Sequence, residues 1–394
     1  LSDFDTYLSN ISQTDNVLAN ASSGLSTTLN NFFDALNESA NDPASLLGRQ
    51  LLLTQTNMLK QGFRTLEEKL LSQNTAVNKQ LDSIAANVTT IAKEIAGLNK
   101  AIGDAVGAST SKLPNDLLDR RDALVRDLSK FVNVTVVPQG NETIDVFIGE
   151  GQGLVIGPNP QTLLSVPGSM QSDRKELAFN LNGKMRVVTE QLTGGELGGL
   201  TRFRREALDP ALNALGRISL ALADGLNQQQ ALGIDLEGNL GHPLFTAIND
   251  AALMKNRVRA DINNASPNDR QINVSIDDVG KLTTSNYDLY FPGPGRQYSL
   301  IRQSDGKLVS QGMLGDKLPH SINVDGMTIE FVDGTFQQGD RFQIQPTRTG
   351  ASDMKVLITR PEAFAFASPV RTQNSLGNQG GAFILPGTVM DVRT

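Results

Sequence analysis

Few side chains in this chain are spaced for chemistry. Its 394 residues include two histidines and no cysteine. His242 and His320 each stand alone, with no second His or Cys at metal-ligand spacing and no His-Glu-x-x-His pattern, so both read as loop residues, His320 in a turn over 317–321 before a strand. The lack of cysteine excludes disulfides and thiolate-bound metals. Asp235-Leu236-Glu237-Gly238-Asn239 resembles half of a calcium loop, but Thr246 stands where the closing bidentate acid belongs, and a turn is the better reading. Gly149-Glu150-Gly151-Gln152-Gly153 lacks the Lys-Ser/Thr ending of a phosphate loop and lies between strands, which suits a hairpin turn or bulge. Gly194-Gly195-Glu196-Leu197-Gly198-Gly199 does precede a helix, where backbone N–H groups attract anions. Without the G-x-G-x-x-G spacing and a βαβ frame it reads as a hinge or a tight packing turn. Arg202, Arg204, Arg205 and Glu206 read as a solvated charged face at a helix start. These residues predict no catalytic, cofactor or metal site, and the chain reads as a structural protein rather than an enzyme.

Composition agrees. A 39% hydrophobic and 20% charged chain of this length can bury two or three cores. Aromatics at 5% and no Trp leave little for sugar or base stacking, and a net charge of −7 argues against nucleic acid. No apolar run approaches a membrane span, so no membrane insertion is expected. The N-terminus shows no basic-then-apolar signal and no initial Met, which suggests a processed or trimmed chain.

The elements that would position any site are clearer. Val77, Leu81, Ile84, Val88, Ile91, Ile95, Leu98 and Ile102 alternate at four and three residues, which is an a/d heptad seam. At the helical rise it would run roughly 40 Å, with Asn78, Lys79, Asp82, Lys93, Glu94 and Asn99 on a solvated outer face. These eight apolar residues are the candidate assembly or core seam. A looser seam of Leu8, Ile11, Leu18, Leu25, Leu29, Phe32 and Leu36, with Asp15 and Ser22 in two slots, precedes it. Asn41-Asp42-Pro43 breaks between them, with Pro43 suited to the next helix's first turn, and predicts two antiparallel long helices. Periodicity alone leaves open whether they form a rod or a bundle core.

A third helix is predicted over 115–130. At Phe131 the period drops to two, and hairpins are predicted at 132–148, turned at 138–141, and at 177–188, turned by Asn182-Gly183. Helical spacing returns with Leu208, Leu212, Leu215, Ile218, Leu222 and Leu226, in a helix that Pro210 kinks or starts and that packs back on the first helices. Six strands are predicted at 271–276, 286–291, 297–302, 326–331, 341–345 and 354–359, with Asp-Gly turns at 305, 325 and 333, as in a small sandwich or barrel. The expected fold class is α+β multidomain: a discontinuous, coiled-coil-like rod of long helices with two small β-rich domains. The expected divisions are helical rod 1–130, inserted β-domain 131–193, return helix 194–232, connecting segment 233–261, second β-domain 262–368 and a polar, truncated tail 369–394.

Several longer stretches then carry a specific resemblance. They are Leu29-Asn30-Asn31-Phe32-Phe33-Asp34-Ala35-Leu36 before Asp42-Pro43, the Ile95 to Ile102 stretch, Pro114-Asn115-Asp116-Leu117-Leu118-Asp119-Arg120-Arg121-Asp122, and Gly195-Glu196-Leu197-Gly198-Gly199-Leu200 leading to Phe203-Arg204. Leu208-Asp209-Pro210, Asn213-x-Leu215-Gly216, Asn227-Gln228-Gln229-Gln230 and Gly233-Ile234-Asp235-Leu236-x-Gly238 complete the set. In order and over nearly the whole chain, they resemble the flagellar hook-associated protein 1 family, which joins hook to filament in bacterial flagella. The resemblance implies an extracellular flagellar protein exported through the flagellar channel. It also implies a ring of its own copies between hook protein and a second junction protein, β-domains pointing outward, and no cofactor. It further implies terminal helices that this sequence lacks, so a core fragment is expected, with an export chaperone acting through the missing C-terminal segment. Other readings are a phage-tail or adhesin fibre subunit, and a glycan-binding protein using Tyr287, Tyr290, Phe291 and Tyr298.

Overall fold

The computed structural model describes residues 2–108, 114–181, 183–315 and 317–368, except the side chains of residues 17 and 20–23. Asn182 of the expected Asn-Gly turn, and the tail 369–394, lie outside the described residues. The fold is α+β and multidomain. Two compact units divide the chain: Leu1–Val17 with Leu70–Pro210, and Leu18–Lys69 with Ala211–Thr394.

The heptad stretches lie in two helices, α1 (Ser2–Asn41) and α2 (Leu46–Ala108). Asp3 and Asp5 in the first turn of α1 complement its dipole. Pro43 sits in the turn between the helices, not in the first turn of α2 as expected; Ser45 caps α2 instead, its Oγ accepting the Gly48 N–H at 3.2 Å. The second unit holds the α1–α2 turn, and there a Cβ on Gly62 of α2 would touch Leu25 and Thr28 of α1, which shows the antiparallel pairing and its closeness. α1 does not bury the looser seam along its length. Leu8 is exposed and Ile11 half-buried, whereas Asn10, Thr14, Leu25, Phe32, Ala35 and Ser39 are buried.

In the first unit, α3 (Asn115–Phe131) leads into two antiparallel sheets. One orders β1 (Val134–Pro138), β2 (Ile144–Ile148), β3 (Gln152–Ile156) and β4 (Asn159–Pro160); the other orders β5 (Leu163–Pro167), β6 (Lys175–Leu181) and β7 (Lys184–Val187). Both expected hairpins are present, and β3, β4 and β5 are additional. Gly149-Glu150-Gly151 supplies the β2–β3 turn and Gln152-Gly153 opens β3; a Cβ on Gly149 (φ +59°) would collide with the Gln191 carbonyl. α4 (Gly195–Phe203) then passes through one π turn (Arg204–Leu208) into α5 (Asp209–Ala231). Pro210 thus stands at the start of α5, where its missing N–H is tolerated.

In the second unit, α6 (Ala251–Asn256) precedes strands β8 (Val258–Ala260), β9 (Gln271–Ile276), β10 (Tyr287–Tyr290), β11 (Gln297–Arg302), β12 (Lys307–Met313), β13 (His320–Val324), β14 (Met327–Asp333) and β15 (Arg341–Ile344). They form a five-stranded sheet, β12-β11-β10-β15-β8, and a three-stranded sheet, β13-β14-β9. Phe331 from the smaller sheet meets Phe291, just past the end of β10, and Tyr298 of β11 at ring-centroid distances of 6.3 and 5.8 Å, so an aromatic core joins the two sheets. Asp325 and Gly326, both at positive φ, make the tight β13–β14 turn. Two expectations fail here. Residues 354–359 form no strand, only an isolated bridge from Val356 to Phe245, and His320 opens a strand rather than sitting in a turn. β8, β12 and β13 escaped the sequence reading because they are short or mostly exposed, so their alternation is weak.

Candidate assembly surfaces

The eight seam residues lie on one stripe of α2 in the first unit. Val77, Leu81, Ile84, Val88, Ile95 and Ile102 are buried; Ile91 and Leu98 are half-buried. Ile91 borders an open hollow shared with Asp127, Lys130 and Phe131 of α3.

The flanking polar residues are not the solvated face that was expected. Asn99 is buried, donating to the Ile144 and Gly157 carbonyls at 2.7 and 2.9 Å while accepting the Ile144 N–H at 3.3 Å. Thr89 Oγ1 both donates to the Leu163 carbonyl and accepts the Leu163 N–H at 3.0 Å, closing the edge of β5. Asn78 accepts from Lys175 N–H at 2.9 Å and from Arg204 at 2.7 Å, and donates to the Asp173 carbonyl at 2.7 Å. Asp82 pairs with Lys175 at 2.6 Å, and that hydrogen bond holds its carboxyl below the ordinary range. Lys79, Lys93 and Glu94 are exposed as expected. Along the first unit, α2 therefore works as a set of amides and hydroxyls that complete strand backbones, since buried N–H and C=O groups must find partners.

Stepping the seam back by sevens reaches Asn74, Leu70, Glu67, Phe63, Lys60, Thr56, Leu53 and Arg49, all buried except half-buried Lys60. In the second unit this line is held by polar groups. Arg49, 1% exposed, donates to the carbonyls of Pro43 (2.7 Å), Pro361 (3.3 Å), Glu362 (3.3 Å) and Phe364 (2.6 Å), with its guanidinium 5.0 Å from the Phe366 ring. Burial lowers its pKa. Glu67, 5% exposed, accepts one hydrogen bond from Ser352 Oγ at 3.1 Å. Burial, with Asp353 adding to it, pushes its carboxyl up to about 7 against the pull of Ser352 and Arg348. Sequence reading missed this half of the register because apolar residues were its only marker.

The Arg202–Glu206 cluster is also corrected. Arg204 is buried and donates to the Lys175 carbonyl at 2.9 Å, while Arg202 pairs with Asp3 at 3.1 Å and lies 4.1 Å over the Tyr7 ring. Arg205 is exposed. Gly198 and Gly199 of α4 allow this approach, since a Cβ on either would strike Asp3, Thr6 or the Tyr7 backbone, so the glycine run is a packing device. Asp235 forms a turn closed by the Glu237 and Asn239 N–H groups, both at 2.9 Å. Tyr287, Phe291 and Tyr298 are buried, which removes them as a sugar platform.

Exposed apolar side chains gather in a few places. α2 opens with Leu47, 83% exposed, and with exposed Leu46, Leu51 and Met58. Leu47, Leu51 and Met58 lie on the helix face opposite Arg49, whereas exposed Leu46 is the next slot of the Arg49 line itself.

A family model described as the flagellar hook-associated protein FlgK helical domain matches residues 11–245, and one described as a flagellar hook-associated protein 1, D2-like domain, matches 260–346. The chain belongs to the FlgK family of flagellar hook-associated proteins. It is 32% identical over 368 residues to flagellar hook-associated protein 1 of Salmonella typhimurium, covering 92% of this chain and 64% of that relative. The Escherichia coli relative is 29% identical over 379 residues, covering 95% and 66%. The structure of the flagellar hook junction protein FlgK from Burkholderia pseudomallei superposes with a TM-score of 0.83 at 29% identity, covering 95% of this chain and 66% of that one. The chain thus spans just under two thirds of the length of these FlgK-family relatives.

Several residues that carry the FlgK-family resemblance are backbone clamps. Arg121 donates to the Glu142 carbonyl at 2.5 Å. Asp209 pairs with Arg174 at 2.5 Å. Asn213 bonds the Thr284 carbonyl and Asn286 at 3.1 Å. Asn227 bonds both backbone groups of Phe245 at 2.8 Å. Gln230 donates to the Ala363 carbonyl at 2.7 Å and accepts the Ala365 N–H at 3.1 Å. Arg121, Asn227 and Gln230 bond backbone groups in these contacts, and Asn213 bonds both a carbonyl and the Asn286 side chain, so the shared motifs fix how segments meet.

Proposed function

We propose that this chain is the body of a structural protein at the hook–filament junction of a bacterial flagellum. In this reading the helical segments 1–130 and 194–232 pack in a ring of copies between hook protein and the second junction protein. The β-rich segments 131–193 and 262–368 form the outer part, and the protein reaches the cell exterior through the flagellar channel. The observation that carries the reading is family membership over both the helical and the D2-like regions, together with a fold that follows the Burkholderia hook junction protein along 95% of the chain. The arrangement is mechanical in kind. Long helices expose side faces, and buried amide and guanidinium clamps fix loop geometry.

Immunogold electron microscopy on isolated flagella of the source cells, with antibody to this chain, tests the reading. Gold confined to the boundary between hook and filament is expected. Gold along the filament, or none on flagella, would overturn it.

A further inference from the structure

The two sheets of the first unit end in four edge strands: β1, the two-residue β4, β5 and β7. Thr89 caps β5, whereas β1 and β7 lie open. Hydrogen bonds outside the strands fix which groups face out. Gly149 N–H donates to Asn133 O and Gln139 N–H to Thr143 O, both at 2.8 Å, in line with the Val134↔Ile148 register. Odd-numbered residues of β1 therefore bond β2, and Val134 and Val136 point N–H and C=O to the open side. Val188 N–H donates to Leu177 O at 2.8 Å, so by the same rule Met185 and Val187 of β7 present theirs.

The two edges differ in chemistry. β1 carries no charge, and its residues 135–138 are exposed; Pro138, which lacks an N–H, is its one guard. Exposed Glu142 and Glu150 flank its hairpin. β7 is exposed throughout, with Met185 at 52% and Val187 at 45%, and carries Lys184 and Arg186.

We infer that β1 of one copy pairs with β7 of the next, joining the sheets of neighbouring copies. Each edge offers two outward N–H/C=O sets two residues apart, so an antiparallel pair with Val136 opposite Met185 and Val134 opposite Val187 matches all of them. That register sets Lys184 opposite Val137, in the row that continues to Asp145 of β2. Self-pairing of β7 is disfavoured because it brings Lys184 and Arg186 of two copies together, whereas the uncharged β1 edge relieves that repulsion. Two unlike surfaces on one molecule make a head-to-tail contact, the kind that closes a ring. The inference therefore rests on the junction reading.

These 394 residues carry no cysteine, so an introduced thiol has no competing partner among them. Full-length protein carrying Val136→Cys and full-length protein carrying Met185→Cys are co-expressed, flagella are isolated and mildly oxidised, and gold labelling is scored on the same particles. Dimers are expected only when both variants are present. Gold at the junction with no dimer in the mixture overturns the pairing and leaves the junction reading intact. Dimers from Val136→Cys alone overturn it in favour of a two-fold contact. Absence of gold from the junction overturns both.

Discussion

The two stretches of α2 share one heptad register and fill it in opposite ways. From Val77 to Ile102 every slot is Val, Leu or Ile. From Arg49 to Asn74 the slots include Arg49, Thr56, Lys60, Glu67 and Asn74, and all but Lys60 are buried. The apolar stretch gains its stability from area removed from water. The polar stretch gains little from each group, because a buried charge loses most of its hydration. What it contributes is placement: Arg49 fits only where four carbonyls converge, so the chain at 361–366 has one position against that helix. The contrast separates residues that hold a fold together from residues that choose which segment lies where.

The sharpest way to break the comparison is at the apolar end. Val88→Asp places an unpaired charge in a fully buried slot and should destabilise the first unit by about 4 kcal/mol or more, read by urea unfolding. A mutant that unfolds with the parent would show that the stripe is not core.

At the polar end, Arg49→Met keeps bulk but removes every donor. It should cost about 3 kcal/mol, because carbonyls at Pro361, Glu362 and Phe364 lose a buried partner. Limited proteolysis should then cut near 361–366 in the variant and not in the parent. Equal stability would mean that apolar packing serves this slot equally well and that the clamp adds no specificity.

Glu67 gives the smallest effect and a pH signature. Its folded pKa of about 7 lies above its ordinary value of 4.5, so the folded state binds the extra proton between those values. Stability contributed by protonated Glu67 is complete below pH 4.5 and is lost progressively as pH rises through 7. Glu67→Gln should remove this slope, measured as the difference between parent and variant melting from pH 4.5 to 8. Parallel curves would place the Glu67 carboxylate in water-like surroundings.

The sequence by itself settled the period of each element. Strict four-three spacing from Val77 and alternation from Phe131 are consequences of where Cβ atoms point, and they need no knowledge of neighbours. Asp325-Gly326 likewise reports its turn through backbone conformations that those residue types tolerate. The family, too, was legible in the ordered motifs, and the comparisons agree. Partners were not legible. Asn78, Asp82, Asn99 and Arg204 look like solvated residues in the sequence, because polarity marks a preference for hydrogen bonds without saying whether water or a strand backbone supplies them. Arg49 is the extreme case: a charged residue in a helix is expected outside, and only convergence of carbonyls 312 to 315 residues away makes its burial possible. The short strands β8, β12 and β13 follow the same logic, since their backbones are ordered by the sheets they join rather than by their own side chains. Local periodicity is written in the chain one residue at a time. The satisfaction of buried polar groups depends on pairs of distant segments, and that only the tertiary structure decides.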